Sequence, residues 1–251
     1  MNNILFALTL STMAGLSTLI GTVFIFIKMS NRNLNKFISF CLSFSIAVMI
    51  SISILDLIPT SFFEITNVYG VGKSILVLII SFFISYIIIT YLSNLIDKEN
   101  KGVDLYKLGI LNMIVLILHN LPEGIATFLS SYHSTSLGIK LSLAIMLHNI
   151  PEGISIAVPI YYATKSRKKA IKATFISGLS EPLGAILAFL FLKRFVSDVM
   201  ISIVLIVVAG LMITLSIQEM FPKVVKYNER KYLYLGLIIG TILVIINVLI
   251  S

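Results

Sequence analysis

Eight apolar runs fill almost all of this chain, at about 4–27, 37–59, 71–96, 106–130, 138–162, 170–192, 196–220 and 232–250. A bilayer core takes ~20 residues of helix to cross, and lipid leaves a spanning backbone no partner but itself, so such runs must be helical. Composition agrees. The chain is 58% hydrophobic and 12% charged, against roughly 45–50% and about 25% in soluble domains. It cannot cover itself with polar surface. No linker or shift of composition divides it, so residues 1–251 read as one domain. The expected fold is all-α: a polytopic membrane protein of eight transmembrane helices. The first run reaches Ile27 without a charge, long enough to span rather than to serve as a cleaved leader.

Orientation follows from the cations. The loops after the first, third, fifth and seventh runs carry 15 of the 19 Lys and Arg residues, and the alternate loops carry 4 (Lys73, Lys140, Lys193 and Arg194). Positive charge concentrates on the cytoplasmic side, so both termini lie outside. The net charge of +8 is therefore topological. It forms no continuous basic face, and nucleic acid is excluded as a partner. Cys41 is the only cysteine, which rules out an internal disulfide and a thiolate cluster.

Within the apolar runs lies a repeat. HNLPEGIA at 119–126 returns as HNIPEGIS at 148–155. It places His119, Asn120, Glu123, His148, Asn149 and Glu152 in hydrocarbon, where an ionisable group costs about 2.5–3.5 kcal/mol at the helix centre. His119 and Glu123 are four apart, as are His148 and Glu152, so each pair shares a helix face. Pro122 and Pro151 free the carbonyls of Leu118 and Leu147, and Gly124 and Gly153 permit close helix approach. Asn120 and Asn149 point roughly 100° around from the histidines and could serve a second ion. Both histidines fall near the middle of their runs, on helices of opposite direction. An inverted repeat around a midplane site is the usual construction of secondary transporters.

Three more carboxylates fall within apolar runs. Glu181, in SGLSEPLG, lies at similar depth beside Pro182. Asp56, in LDLIP, lies near the outer end of the second run, and Glu219, in IQEMFP, near the inner end of the seventh. No Lys or Arg is expected deep in any run to balance these five. Such carboxylates need protons or metal cations.

Imidazole, carboxylate and amide suit Zn(II), Fe(II), Mn(II) and Co(II), whereas the lack of thiolates and of a clear methionine array disfavours Cu(I). The metal is expected as transported substrate, with no cofactor. Neutral histidines and ionised glutamates are the binding forms, so loading weakens as pH falls. An intramembrane zinc hydrolase would also want His and Glu at helical spacing, but as His-Glu-x-x-His, and asparagine stands beside the histidine twice. A proton or cation channel using the same carboxylates is the other alternative.

At these residues the chain resembles the ZIP family of divalent metal transporters, in its bacterial zinc-uptake branch. The resemblance rests on HNLPEG at 119–124, HNIPEG at 148–153 and SGLSEPLG at 177–184. FCLSFSIAVMISISILDLIP at 40–59 and AGLMITLSIQEMFP at 209–222 add to it, and the resemblance extends over essentially all eight runs. It implies a two-ion centre: His119, Glu123, His148 and Glu152 hold one metal, and Asn120, Asn149 and Glu181 hold the second, with Glu123 and Glu152 bridging. It also implies uptake into the cytoplasm, movement of helices 1, 4, 5 and 6 against 2, 3, 7 and 8, and a homodimer in the plasma membrane. The loop at about 97–105 contains no histidine, so a histidine-rich sensing loop is not expected.

Overall fold

A computed structural model describes residues 2–99, 104–191 and 197–250, which form helices joined by short turns, with no strand among the described residues. Eight helices are long and apolar enough to cross a bilayer: α1 (Asn3–Phe26), α2 (Arg32–Tyr69), α3 (Val71–Ile96), α4 (Leu105–Tyr132), α5 (Thr135–Thr164), α6 (Arg167–Leu190), α7 (Val199–Lys226) and α8 (Arg230–Leu249). Eight spans put both ends of the chain on one side, which the cation asymmetry makes the outside. Lys101, Lys193 and Arg194 of that count lie outside the described residues.

The helices depart from the expected runs where the sequence carries proline or hydroxyls. α2 does not stop at Pro59. It continues to Tyr69 and meets α3 through Gly70 alone, so Glu64 lies on a helix. The reason is a widened π turn at Ser53–Leu57 just before the proline, which accommodates the ring that would otherwise clash with the preceding turn. α7 repeats the device, with a π turn at Ser216–Met220 followed by Pro222. α6 breaks at Leu179, where Pro182 cannot donate to the carbonyl of Gly178. The second half of α1, Thr18–Phe26, is a 3₁₀ helix. There Ser17, Thr18 and Thr22 each donate to a carbonyl three residues back, the spacing of a 3₁₀ turn.

The helices pack as two groups. α1, α4, α5 and α6 pack on one another, while α2 packs along α8 and α3 along α7; the groups meet where α2 lies on α5 and α7 on α4. The main apolar core fills that meeting plane, with Leu42, Ile46, Met49, Leu111, Ile156 and Met212 fully buried or nearly so. Lipid is as apolar as these side chains, so close packing and polar contacts, rather than exclusion of water, select this arrangement.

Candidate metal centre

Backbone approach comes first. A Cβ at Gly153 would overlap the carbonyl oxygen of Thr18 on α1, and one at Gly124 would overlap the carbonyl oxygen of Glu181 on α6. Only glycine lets these helices touch. Each glycine lies four residues beyond an asparagine, so Asn149 faces α1 and Asn120 faces α6. The motif thus assembles α1, α4, α5 and α6 around its own polar side chains.

Those side chains converge. Nε2 of His119 lies 3.2 Å from Oε1 of Glu123 and 3.3 Å from Oε1 of Glu152. Nε2 of His148 lies 3.1 Å from Oε1 of Glu123, on the neighbouring helix. The imidazole rings stand 6.1 Å apart. Ligand atoms of His119, His148 and Glu152 all fall within 4.8 Å of one another. All four residues are buried, and the two histidines stand 13–16 residues into α4 and α5 from either end, hence near the midplane.

Beside this cluster, Asn149 donates through Nδ2 to Oε2 of Glu181 at 2.9 Å and to the carbonyl of Ala14 at 2.8 Å. Ser11 of α1 donates to the backbone carbonyl of Glu181. Asn120 is fully buried with neither side-chain polar atom bonded. Such atoms are the clearest sign of what the site lacks. Of fifteen buried side-chain polar atoms without a hydrogen-bond partner among the described residues, nine belong to His119, Asn120, Glu123, Asn149, Glu152 and Glu181. Each unmet group costs about 1–3 kcal/mol, and ordinary folding does not gather nine in one place. Nitrogen and oxygen lone pairs aimed at a common space are what a dication requires.

Asp56 and Glu219 stand apart from the centre, and both differ from expectation. Asp56 lies on the π turn of α2, 13 residues before Tyr69 rather than at the helix end. It is exposed and accepts from Thr60 at 3.4 Å. Glu219 was expected to lack a basic partner. It has two: Nζ of Lys223 lies 3.1 Å from its Oε2 and Nζ of Lys107 lies 3.7 Å from it. The correction has a simple cause, because α4 begins early enough to carry Lys107 into the protein, where it is buried, rather than leaving it in a loop.

A second repeat went unread in the sequence. MISISILDLIP at 49–59 and MITLSIQEMFP at 212–222 share Met, Ile, Ser, Ile, an acid and proline in one register. Their helices interlock reciprocally: Ser53 of α2 lies against the sulfur of Met212, and Ser216 of α7 against the sulfur of Met49.

The family model described as "ZIP Zinc transporter" matches residues 97–247. The chain is similar to "Zinc transporter ZupT" of Oceanobacillus iheyensis, at 39% identity over 99% of each chain. It is also similar to proteins of that name from Lysinibacillus sphaericus, at 38% over 95% of this chain and 94% of the relative, and Clostridium perfringens, at 35% over 99% and 97%.

Proposed function

Because the chain belongs to the ZIP family of zinc transporters, it is a multi-pass membrane carrier of divalent metal rather than an enzyme, and we propose that zinc enters the cytoplasm through the centre on α4, α5 and α6. The observation that carries the site is the convergence of His119, His148, Glu123 and Glu152 at the midplane without a basic residue among them. Zinc bound there gives the unpartnered carboxylate and amide oxygens, and one ring nitrogen of His119, a common partner. The first ion takes the two imidazoles and the two carboxylates. The second takes Asn120, Asn149 and Glu181, with the free oxygens of Glu123 and Glu152 available to both. Fe(II), Mn(II) and Co(II) suit the same ligands and belong to the same proposal, as does the whole chain working as one unit.

Asp56 draws the ion from outside, since its carboxylate is exposed. Glu219 receives it on the way in. The division of the helices into two packed groups supports movement of α1, α4, α5 and α6 against the rest.

His148→Ala or Glu152→Ala, each expressed normally, is expected to abolish zinc-65 uptake into proteoliposomes. Undiminished uptake by either variant would refute the site. Saturable, metal-dependent uptake without ohmic current distinguishes the carrier from a cation channel.

A further inference from the structure

Asp56 and Glu219 occupy equivalent places in the second repeat, yet their surroundings differ. Asp56 accepts from one hydroxyl of its own helix. Glu219 is approached from three helices: Ser93 of α3 donates to its Oε1, Lys223 from one turn along α7 donates to its Oε2, and Lys107 of α4 faces the same Oε2. The side chains of Lys107 and Glu219 are only 11% and 14% exposed.

Only Lys107 comes from α4, the helix that carries His119 and Glu123. It lies twelve residues before His119, hence ~18 Å along one rigid rod. Any displacement of α4 along α7 that opens the centre inward must part Lys107 from Glu219. Lys223 travels with Glu219 and senses no such motion.

We infer that Lys107 is a positioning residue, a tethered counter-cation that holds Glu219 and keeps the cytoplasmic end of the path closed until a dication takes its place. A dication carries twice the charge of an ammonium and, at equal distance, is attracted twice as strongly to the carboxylate. The 3.7 Å separation marks a contact that is electrostatic rather than tightly hydrogen-bonded, and therefore exchangeable. Asp56 accepts only from Thr60 among the described contacts, with no cation upon it. The inference rests on the transport reading above, but its test needs no metal.

The experiment uses the full chain with Cys41→Ser, which removes the only thiol, and Ser216→Cys. Ser216 is fully buried on the π turn of α7, three residues deeper than Glu219. A membrane-impermeant cationic methanethiosulfonate is applied to the cytoplasmic face of inside-out vesicles. Labelling is expected to be slow in this background, several-fold faster with Lys107→Gln, and slow again with Lys107→Arg. Lys223→Gln is expected to change it little. Fast labelling of the background, no acceleration by Lys107→Gln, equal acceleration by Lys223→Gln, or failure of Lys107→Arg to protect would each overturn the inference. Failure of the transport reading shows in the uptake assay alone, so the two are separable.

Discussion

The two proline-bearing repeats use the same ingredients to different ends. In α4 and α5, the copies pool their side chains: Glu123 of one bonds His148 of the other, and Glu152 returns to His119. In α2 and α7, the copies meet through Ser53, Met212, Ser216 and Met49, while their carboxylates point apart, one exposed and one bound to lysines. The difference lies in where each acid stands relative to the crossing point. His and Glu straddle it in the first repeat, so ligands from antiparallel helices arrive together. Asp56 and Glu219 lie three residues beyond the meeting serines, in opposite directions. Each serine is level with the methionine four residues before the other serine, so ten residues, or about 15 Å at ~1.5 Å per residue, separate the two acids along the helices. One repeat therefore makes a single centre and the other makes an entrance and an exit.

The largest expected effect tests that contrast directly. Glu123 touches both histidines, so Glu123→Gln should weaken zinc binding more than any flanking change. The loss should exceed about 100-fold, the upper range for mere outer-shell partners. Asp56→Asn should slow uptake only a few-fold and leave equilibrium binding unchanged, since it guides rather than holds. Titration calorimetry of both variants in detergent checks the pair. Equal losses of affinity would place Asp56 in the centre and dissolve the distinction between pooled and divided carboxylates.

The next contrast lies inside the first repeat. Asn149 ties three helices together through Ala14 and Glu181, whereas Asn120 bonds nothing. Asn149→Ala leaves the Glu181 carboxylate and the Ala14 carbonyl without that donor and should cost about 1–3 kcal/mol of stability, read as a lower Tm in the absence of metal. Asn120→Ala removes an unmet group and should leave the metal-free Tm unchanged or raised, while still weakening retention of the second ion. A matching fall in Tm for both variants would mean that the asparagines are interchangeable braces.

Much of this was legible beforehand because membrane constraints act locally. Run length gave the eight spans, cations gave their orientation, and the repeated HNxPEG gave all six residues on α4 and α5. What escaped depended on tertiary neighbours. Pro59 and Pro222 looked like helix ends, because the π turns that absorb them require knowing that the helix continues. Lys107 looked like a loop cation, because its burial depends on α4 starting against α7. Asn120 and Asn149 looked alike, because hexapeptides that differ only at Leu121 and Ile150 fix the kink and the facing of a helix but not the partner it meets. The second repeat was readable from its register of Met, Ser, acid and proline, but its apolar background hid it, whereas histidine in hydrocarbon draws the eye at once.

The smallest expected effect asks how deep the symmetry of the second repeat goes. Both serines are fully buried and both point at a methionine of the other helix. Ser53 also donates to the carbonyl of Met49 at 2.8 Å, whereas the bond described for Ser216 is a weak one to sulfur at 4.0 Å. Sulfur is a poor acceptor, so the repeat is symmetric in its backbone and unequal in its hydrogen bonds. Ser53→Ala should cost about 0.5–1.5 kcal/mol, the net worth of one ordinary hydrogen bond, and Ser216→Ala clearly less. Chemical denaturation of the two variants in mixed micelles orders them. A larger loss at Ser216 would place the tighter half of the crossing on α7, next to the bolted Glu219, and would tie the stability of this joint to the closed cytoplasmic end rather than to the π turn of α2.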